Sequence, residues 1–547
     1  MIKSLQKILN NLFIFFSILL ILATVYSPAL LISYAHHDDY NYFGWTQEDI
    51  KQHPPFSNVI TAGRFLGIFL INLYGFLVHR MTDLNLLRFI TISYLSFCAF
   101  ICYRWMGRYF LKTIFSPKIA SLNAFLFVVM IFTLPPFQVL ISLAAGIYET
   151  TGILFATIAA ILACKASVAR DFKELVTNKY TMGAVLALLF SLMIHQTATM
   201  FYWFMIFILI LPEFTQILHR DKRKIVFNLF FIGFSSFLIY SLVLLSFKDY
   251  LMKYATLYTP FFITREQLQK IFWFFEEPLF NSLNLWSIFP SIRYAGPGIL
   301  FILLTIICYF FNLKLSQEKE KKNLFKIIFS GILLTCLIFL SFLPNLLSYI
   351  QAPFYRCCLA LTPMVLIVFL IAFNYWLSFF SQTLRKYVST FVLILCFVIG
   401  SYTAYQNILD YRVIPSYMEI NFIKNKIQGR RLMEYQKILV VVPESYGNWS
   451  QYYRYDEFIV PSMYFFQDIP FILRCVLNEL GIETSFVMDT HWILKCKLPS
   501  WKSGEKYNHY IQIRGIALDK PLVPKEKTLI IDMHDFHNLI FNRKKLL

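Results

Sequence analysis

Long apolar runs separated by short polar loops make up the first 408 residues of the chain. Several runs exceed the roughly 18 uncharged apolar residues that mark a helix able to cross a membrane. The pattern predicts a polytopic α-helical membrane protein with about 11 transmembrane helices. The predicted spans are 11–33, about 84–103, 115–134, 138–164, 181–195, 197–211, 225–247, 297–313, 325–343, 358–380 and 387–408.

The pattern changes after residue 408, where charged residues become as frequent as in soluble proteins. Short apolar runs typical of buried strands and one run that alternates like a half-exposed strand follow. We therefore divide the chain into a transmembrane domain, 1–408, and a small C-terminal α/β domain, 409–547. The predicted elements of the second domain are strands at 437–443, 510–517 and 528–533 and a short helix at 470–480.

Composition agrees with a membrane protein, because 58% of the residues are hydrophobic and only 15% are charged. A soluble domain averages about 25% charged residues. The net charge of +19 then concerns topology and anionic lipid rather than nucleic acid. The first apolar run is too long for the core of a signal peptide, so we read it as a retained helix with Lys3 and Lys7 in the cytoplasm.

Basic residues concentrate in one set of loops. The N-terminus and loops 104–118, 165–180, 212–224, 314–326 and 381–387 hold 21 Lys and Arg residues, whereas the opposing loops up to residue 408 hold ten. The positive-inside rule places the richer set in the cytoplasm. The C-terminal domain and the loop 248–296 then lie on the outer face.

This topology requires that segment 58–78 does not cross the membrane, since a crossing would turn every later basic loop outward. We predict an interfacial or re-entrant helix there, within a first external loop at 34–83. The alternative is a true span with a weaker charge bias.

Ionisable residues cluster where the first span should reach the membrane surface, at His36, His37, Asp38 and Asp39. Ionisable groups near the hydrocarbon are costly, so such a cluster suggests function. The alternative is a solvated loop that ends the helix.

A carboxylate at this surface, with arginines facing it, suits glycosyl transfer from a lipid-phosphate sugar. An acceptor hydroxyl is weakly nucleophilic, so an aspartate is needed to take its proton, and a leaving phosphate needs cationic donors. Arg88 could instead reach past the span end to water, and Arg356 could be an interfacial anchor. The candidate arginines on the outer side are Arg64, Arg88, Arg293 and Arg356, of which we select Arg64, Arg88 and Arg356 to bind the donor phosphate.

The order of these features resembles the C-type (GT-C) integral-membrane glycosyltransferases: a first helix ending in an Asp-Asp loop, an interfacial helix, many spans and an external terminal domain. The short motifs are similar to the bacterial glucosyltransferase family that modifies O-antigen (glucosyltransferase type II-like). The motifs that carry this similarity are Asp38-Asp39-Tyr40, Trp45 and Gly63-Arg64, with His195-Gln196 in a mid-chain apolar segment and Arg356 before Pro363.

The resemblance implies inverting transfer from a polyprenyl-phosphate-linked sugar, usually glucose, to a cell-surface polysaccharide or glycolipid such as O-antigen. It places the reaction on the outer side of the bacterial inner membrane, with Asp38 or Asp39 as the general base. It implies donor, acceptor and membrane lipid as partners, and no nucleic acid. The candidate residues of the substrate cavity are His37, Tyr40, Trp45, Glu149, His195 and Gln196.

The chain departs from the family by placing His36-His37 directly before the aspartate pair. A metal-assisted variant would use them, but adjacent histidines on a loop are poor co-ligands, so we expect no cofactor. His195 alone is read as a packing histidine. Cys475 and Cys496 are a possible disulfide if the C-terminal domain is exported.

Two other classes compete with the transferase. A transporter or flippase of lipid-linked saccharides should carry ionisable groups near mid-membrane, and Glu149 is the best acidic candidate. A polymerase or ligase of surface polysaccharide would place its chemistry in a late loop such as 248–296. Changing Asp38 and Asp39 separates these hypotheses.

Overall fold

The fold is taken from a computed structural model. It describes residues 2–42, 59, 62–107, 117–169, 171–210, 220–247, 265–286, 321–348, 354–377, 379–430, 437–442, 469–480, 509–513, 528–533 and 535–536.

Helices make up most of the described chain. The α-helices are α1 (Ile2–Val25), α2 (Ser27–Leu31), α3 (Phe65–Gly75), α4 (Asp83–Trp105), α5 (Pro117–Phe132), α6 (Pro135–Ser142), α7 (Gly146–Ala166), α8 (Phe172–Thr177), α9 (Lys179–Ile194), α10 (Gln196–Thr199), α11 (Phe201–Ile210), α12 (Arg220–Ser246), α13 (Arg265–Glu276), α14 (Pro278–Leu283), α15 (Lys321–Leu340), α16 (Leu343–Leu347), α17 (Leu361–Leu377), α18 (Gln382–Ile408), α19 (Ile414–Ile427) and α20 (Ile469–Glu479). Short 3₁₀-helices cover His37–Tyr42 and Tyr355–Cys358.

Within the described ranges, five helical stretches are long and apolar enough to cross a membrane, or six if the bent pair α5–α6 forms one span. The chain is therefore a helical membrane protein, and the count of eleven stays a prediction. The predicted span 297–313 lies outside the described residues. The five stretches are Leu5–Val25, Asp83–Trp105, Gly146–Ala166, Arg223–Ser246 and Thr383–Ile427.

Two breaks interrupt the helices around the predicted span 138–164. The chain bends by 58° between α5 and α6, close to the predicted gap between spans 115–134 and 138–164, because Pro135 and Pro136 can begin a helix but cannot continue one. The second break lies inside the predicted span, since α6 ends at Ser142 and α7 begins at Gly146. A side chain at Gly146 would collide with the Leu140 carbonyl oxygen, so this turn requires glycine.

Segment 34–83 contains α3, an eleven-residue helix. Its length of about 17 Å is less than the thickness of a hydrocarbon core of about 30 Å. The helix packs against α9 and α7. The approach to α9 is close, since a Cβ at Gly67 would lie 2.9 Å from the Ile194 carbonyl oxygen.

The helical structure continues past residue 408, where α18 ends and the sequence predicts a domain boundary. A π-helical turn, Leu409–Val413, joins α18 to α19, so one helical stretch of 45 residues runs from Thr383 to Ile427. At 1.5 Å per residue it is about 68 Å long, roughly twice the hydrocarbon thickness. This stretch is therefore longer than a helix needs to be to cross a membrane.

Beyond this helix, three strands form a sheet in the order β2-β1-β3, with β1 antiparallel to β2 and parallel to β3. The strands coincide with the three apolar or alternating runs read from the sequence. Helix α20 also coincides with its predicted segment and packs on α19. The strands are β1 (Lys437–Val442), β2 (His509–Ile513) and β3 (Thr528–Asp532).

Candidate functional site

The two first-loop aspartates have different surroundings. Asp39 is fully buried, and its Oδ2 lies 2.8 Å from Nη2 of Arg88 and accepts the His36 amide. Its Oδ1 accepts the amide of Ala145, the residue that caps the N-terminus of α7. A carboxylate at a helix N-terminus satisfies a free amide and interacts favourably with the helix dipole. Asp39 thus joins the first loop to the break between α6 and α7.

Burial raises the pKa of the Asp39 carboxyl above its usual value, and the Arg88 guanidinium and the Ala145 amide act against that rise. Both oxygens of the carboxylate are held by protein donors. The contacts of Asp39 therefore hold the first loop against α4 and α7.

Arg88 also lies inside the protein, where its described contacts are with the first loop and α6, and its predicted role in binding phosphate stays a prediction. Its Nη2 donates to the Tyr34 carbonyl oxygen at 2.9 Å, its Nε to that of Ser142, and its Nη1 to Asn85 Oδ1. The guanidinium also stacks on the Tyr34 ring at 3.8 Å from the ring centroid. A buried arginine whose three nitrogens all bond the protein holds the loop in place.

Asp38 faces a second, more open cluster. Its Oδ2 lies 3.0 Å from Nη1 of Arg356, a residue 318 positions later in the chain. The same Nη1 lies 3.6 Å from Oε1 of Glu149. Asp38 and Arg356 are each 26% exposed at the side chain, whereas Glu149 is 2% exposed. The cluster therefore runs from a buried acid outward to a partly exposed ion pair.

Glu149 lies in the first turn of α7 and is held at one oxygen. Its Oε1 accepts the Tyr148 hydroxyl at 3.2 Å and lies 3.5 Å from Nε2 of His195. The other imidazole nitrogen, Nδ1, is 2.7 Å from the Thr197 hydroxyl. His195, at the break between α9 and α10, therefore contacts Glu149 through one ring nitrogen and Thr197 through the other.

Arg64 approaches the same cluster from the start of α3. Its Nε donates to Oε1 of Gln196 at 3.0 Å, and Gln196 in turn donates to the Tyr240 hydroxyl and the Ala62 carbonyl oxygen. Among the described residues, the terminal amino groups of Arg64 have no hydrogen-bond partner. Gln196 directly follows His195, which contacts Glu149, so Arg64 lies beside the cluster that contains Arg356.

Gly63 allows this arrangement. Its φ is +76°, and a Cβ there would lie 2.6 Å from both the Tyr240 hydroxyl and a methyl group of Leu244. A side chain would strain the backbone and push against the residue that holds Gln196.

We expect Gly63→Ala to lower the free energy of unfolding in detergent by about 1–3 kcal/mol. The control is Gly331→Ala in α15, where an added Cβ meets nothing within 4 Å. That change should stabilise the protein by about 0.5–1 kcal/mol, since alanine is the better helix former. Equal stability of the two variants would show that a side chain at position 63 neither strains the backbone nor disturbs Tyr240.

The other predicted cavity residues are not all in the cluster. Tyr40 is buried in the main hydrophobic core. The side chain of His37 and all of Trp45 lie outside the described part of the structure. His36 is buried, with Nδ1 3.0 Å from the Ser416 hydroxyl of α19. In the ranges that the structure describes, no three His, Cys, Asp or Glu side chains are grouped to hold a metal ion.

The predicted disulfide is not supported at its described end. Cys475 is a free cysteine buried on α20, while Cys496 lies outside the described residues. Burial raises the pKa of the Cys475 thiol, so it behaves as a small apolar side chain.

Sequence reasoning missed Tyr148 and Tyr240, which hydrogen-bond Glu149 and Gln196. Nothing in the sequence distinguishes these two tyrosines from the others in apolar helices. Taken together, the site offers a partly exposed carboxylate, a buried one, and two guanidinium groups fixed by long-range contacts.

No protein-family model, no curated protein and no solved structure matches the chain.

Proposed function

We propose that the protein is a glycosyltransferase that moves a sugar from a polyprenyl-phosphate donor to a polysaccharide or glycolipid at the outer membrane surface. The single observation that carries this proposal is the 3.0 Å contact between Asp38 and Arg356. It joins the acid and the cation that the reaction needs at one site, across 318 residues of chain.

In this reaction the acceptor oxygen forms a bond to the anomeric carbon while the bond from that carbon to the phosphate oxygen breaks. The acceptor proton passes to Asp38, and the electron pair leaves with polyprenyl phosphate. One displacement inverts the anomeric centre. Arg64 and Arg356 hold the phosphate and stabilise its developing charge.

We further propose the GT-C-like architecture with about eleven spans. The sequence contains eleven long apolar runs, which is more than the five or six candidate spans within the described residues. Within it, Asp38 and the C-terminal sheet lie on the same side of the membrane. His36 contacts Ser416 of α19, and α20 packs against the 3₁₀-helix of Asp38. We propose that the helical stretch Thr383–Ile427 leaves the membrane near the first loop and holds the C-terminal α/β domain beside the site.

The basic loops put that side outside the cell membrane, with the N-terminus in the cytoplasm. We expect Ser450→Cys, and not Arg220→Cys, to react with a membrane-impermeant maleimide in intact cells. The unsubstituted chain sets the background from its ten native cysteines. Labelling at 220 with none at 450 would reverse the topology.

A transporter is less well supported, because its best acidic candidate is not in the middle of a span. Glu149 lies in the first turn of α7, and its described contacts connect it to His195 and Arg356. The acid is therefore part of the Asp38 cluster.

The test is to incubate the purified protein with a panel of polyprenyl-phosphate sugars and an acceptor polysaccharide. We expect release of polyprenyl phosphate with one sugar of the panel, most readily glucose. No release with any donor, from protein that binds polyprenyl phosphate, would overturn the proposal.

A further inference from the structure

Arg356 is shared between two carboxylates through one nitrogen. Its Nη1 lies 3.0 Å from Asp38 Oδ2 and 3.6 Å from Glu149 Oε1. A single positive charge between two acids is already neutralised. A phosphate that binds Arg356 must therefore compete with a carboxylate for the same guanidinium.

Arg64 is different, because the partner that fixes it is neutral. The Gln196 amide oxygen accepts from Nε and sets the plane of the guanidinium. Within the described chain, the terminal amino groups have no hydrogen bond to another residue. A planar guanidinium held in this way matches a phosphate with two parallel donors. Arg64 can meet an anion without displacing anything.

We propose that a lipid-linked phosphate binds first at Arg64 and then takes the place of Asp38 on Arg356, so that donor binding itself releases the Asp38 carboxylate for proton transfer. This inference rests on the proposed function and adds the event that activates its base. Asp38 acts before the reaction as a placeholder for the donor phosphate.

Asp38, and not Glu149, is the carboxylate that leaves. Its ion pair with Arg356 is partly exposed, and such pairs are broken more easily than buried ones. Glu149 is buried and held at Oε1 by Tyr148 and His195 as well. Breaking a buried charged contact leaves an uncompensated charge in the interior, which is far more costly. The exchange therefore occurs at the outer, weaker contact.

The exchange has a chemical consequence. A carboxylate paired with a guanidinium at 3.0 Å is a weaker base than a free one, because the positive charge favours its ionised form. The base then becomes competent only when the donor is in place.

The experiment measures the affinity of the purified full chain for farnesyl phosphate in detergent, with farnesol as the probe that lacks the phosphate. We expect Asp38→Asn to bind farnesyl phosphate about tenfold more tightly, since a competing charge next to Arg356 is removed. Asp38→Ser provides a second removal of the charge. Glu479→Gln removes a comparably exposed carboxylate, paired with Lys424, and should leave the affinity unchanged.

A double-mutant cycle distinguishes the replacement of Asp38 by phosphate on Arg356 from a long-range repulsion between the Asp38 charge and the phosphate. Arg356→Gln should weaken farnesyl phosphate binding, and Asp38→Asn should give no tightening in that background. Equal tightening with and without Arg356, or no tightening in either Asp38 variant, would overturn the exchange. Wild-type protein that binds farnesyl phosphate no better than farnesol would overturn the proposed function instead.

Discussion

Replacing Arg88 by methionine should destabilise the folded protein by about 3–5 kcal/mol, because it leaves the buried Asp39 carboxylate without its cation. The guanidinium supplies more than a charge. It bonds Tyr34, Asn85 and Ser142 and so connects α4 to the first loop and to the end of α6. The measurement is the free energy of unfolding in detergent, followed by helical circular dichroism.

The double variant Arg88→Met with Asp39→Asn is the control for this prediction. It removes both charges, so it should recover part of the stability that Arg88→Met loses. The His36 and Ala145 amides bond the two different oxygens of the Asp39 carboxylate, and an asparagine side chain offers only one oxygen. Recovery should therefore be incomplete. An Arg88→Met protein with stability close to wild type would contradict a buried ion pair that holds the loop.

Asp38→Asn should lower the rate of sugar transfer by about 10²–10⁴-fold, the usual effect of removing a general base. Asparagine keeps the size of the side chain and most of its hydrogen bonding but cannot accept the acceptor proton. Because Asp38 is partly exposed, the substitution should leave the stability close to wild type. The initial rate of polyprenyl phosphate release measures the effect.

Asp39→Asn should give the opposite pattern. The carboxylate lies in the core and bonds Arg88 and two backbone amides. Its loss should therefore lower the free energy of unfolding more than it lowers the turnover of the folded protein. Protein that still folds should retain measurable turnover. Comparing the two asparagine variants therefore separates a catalytic carboxylate from a structural one.

The sequence predicts well those features that depend on local pattern. The spans near α4, α12 and α18 follow from long apolar runs, and the three strands follow from short ones. The different orientations of Asp38 and Asp39 were also predictable, because adjacent carboxylates point in different directions on most backbones. That segment 58–78 does not cross the membrane stays a prediction, and α3 within it has eleven residues.

The sequence could not predict which arginine meets which carboxylate. Arg88 and Arg356 both lie at ends of apolar segments and look equivalent in the chain. Only the packing of α6 and α7 around the first loop makes one structural and leaves the other partly exposed. The break before Gly146 was missed for a similar reason, since it depends on a close contact with Leu140 and not on helix propensity.

We propose that Asp38 is the base of a transfer reaction whose donor is held by other residues. Turnover and donor binding should be measured together for wild type and Asp38→Asn in one detergent preparation, with Glu479→Gln as the control of matched exposure. We expect Asp38→Asn to lose turnover and to keep, or tighten, binding of the polyprenyl-phosphate donor. An Asp38→Asn protein with near-wild-type turnover would contradict the proposed role of Asp38 as the base.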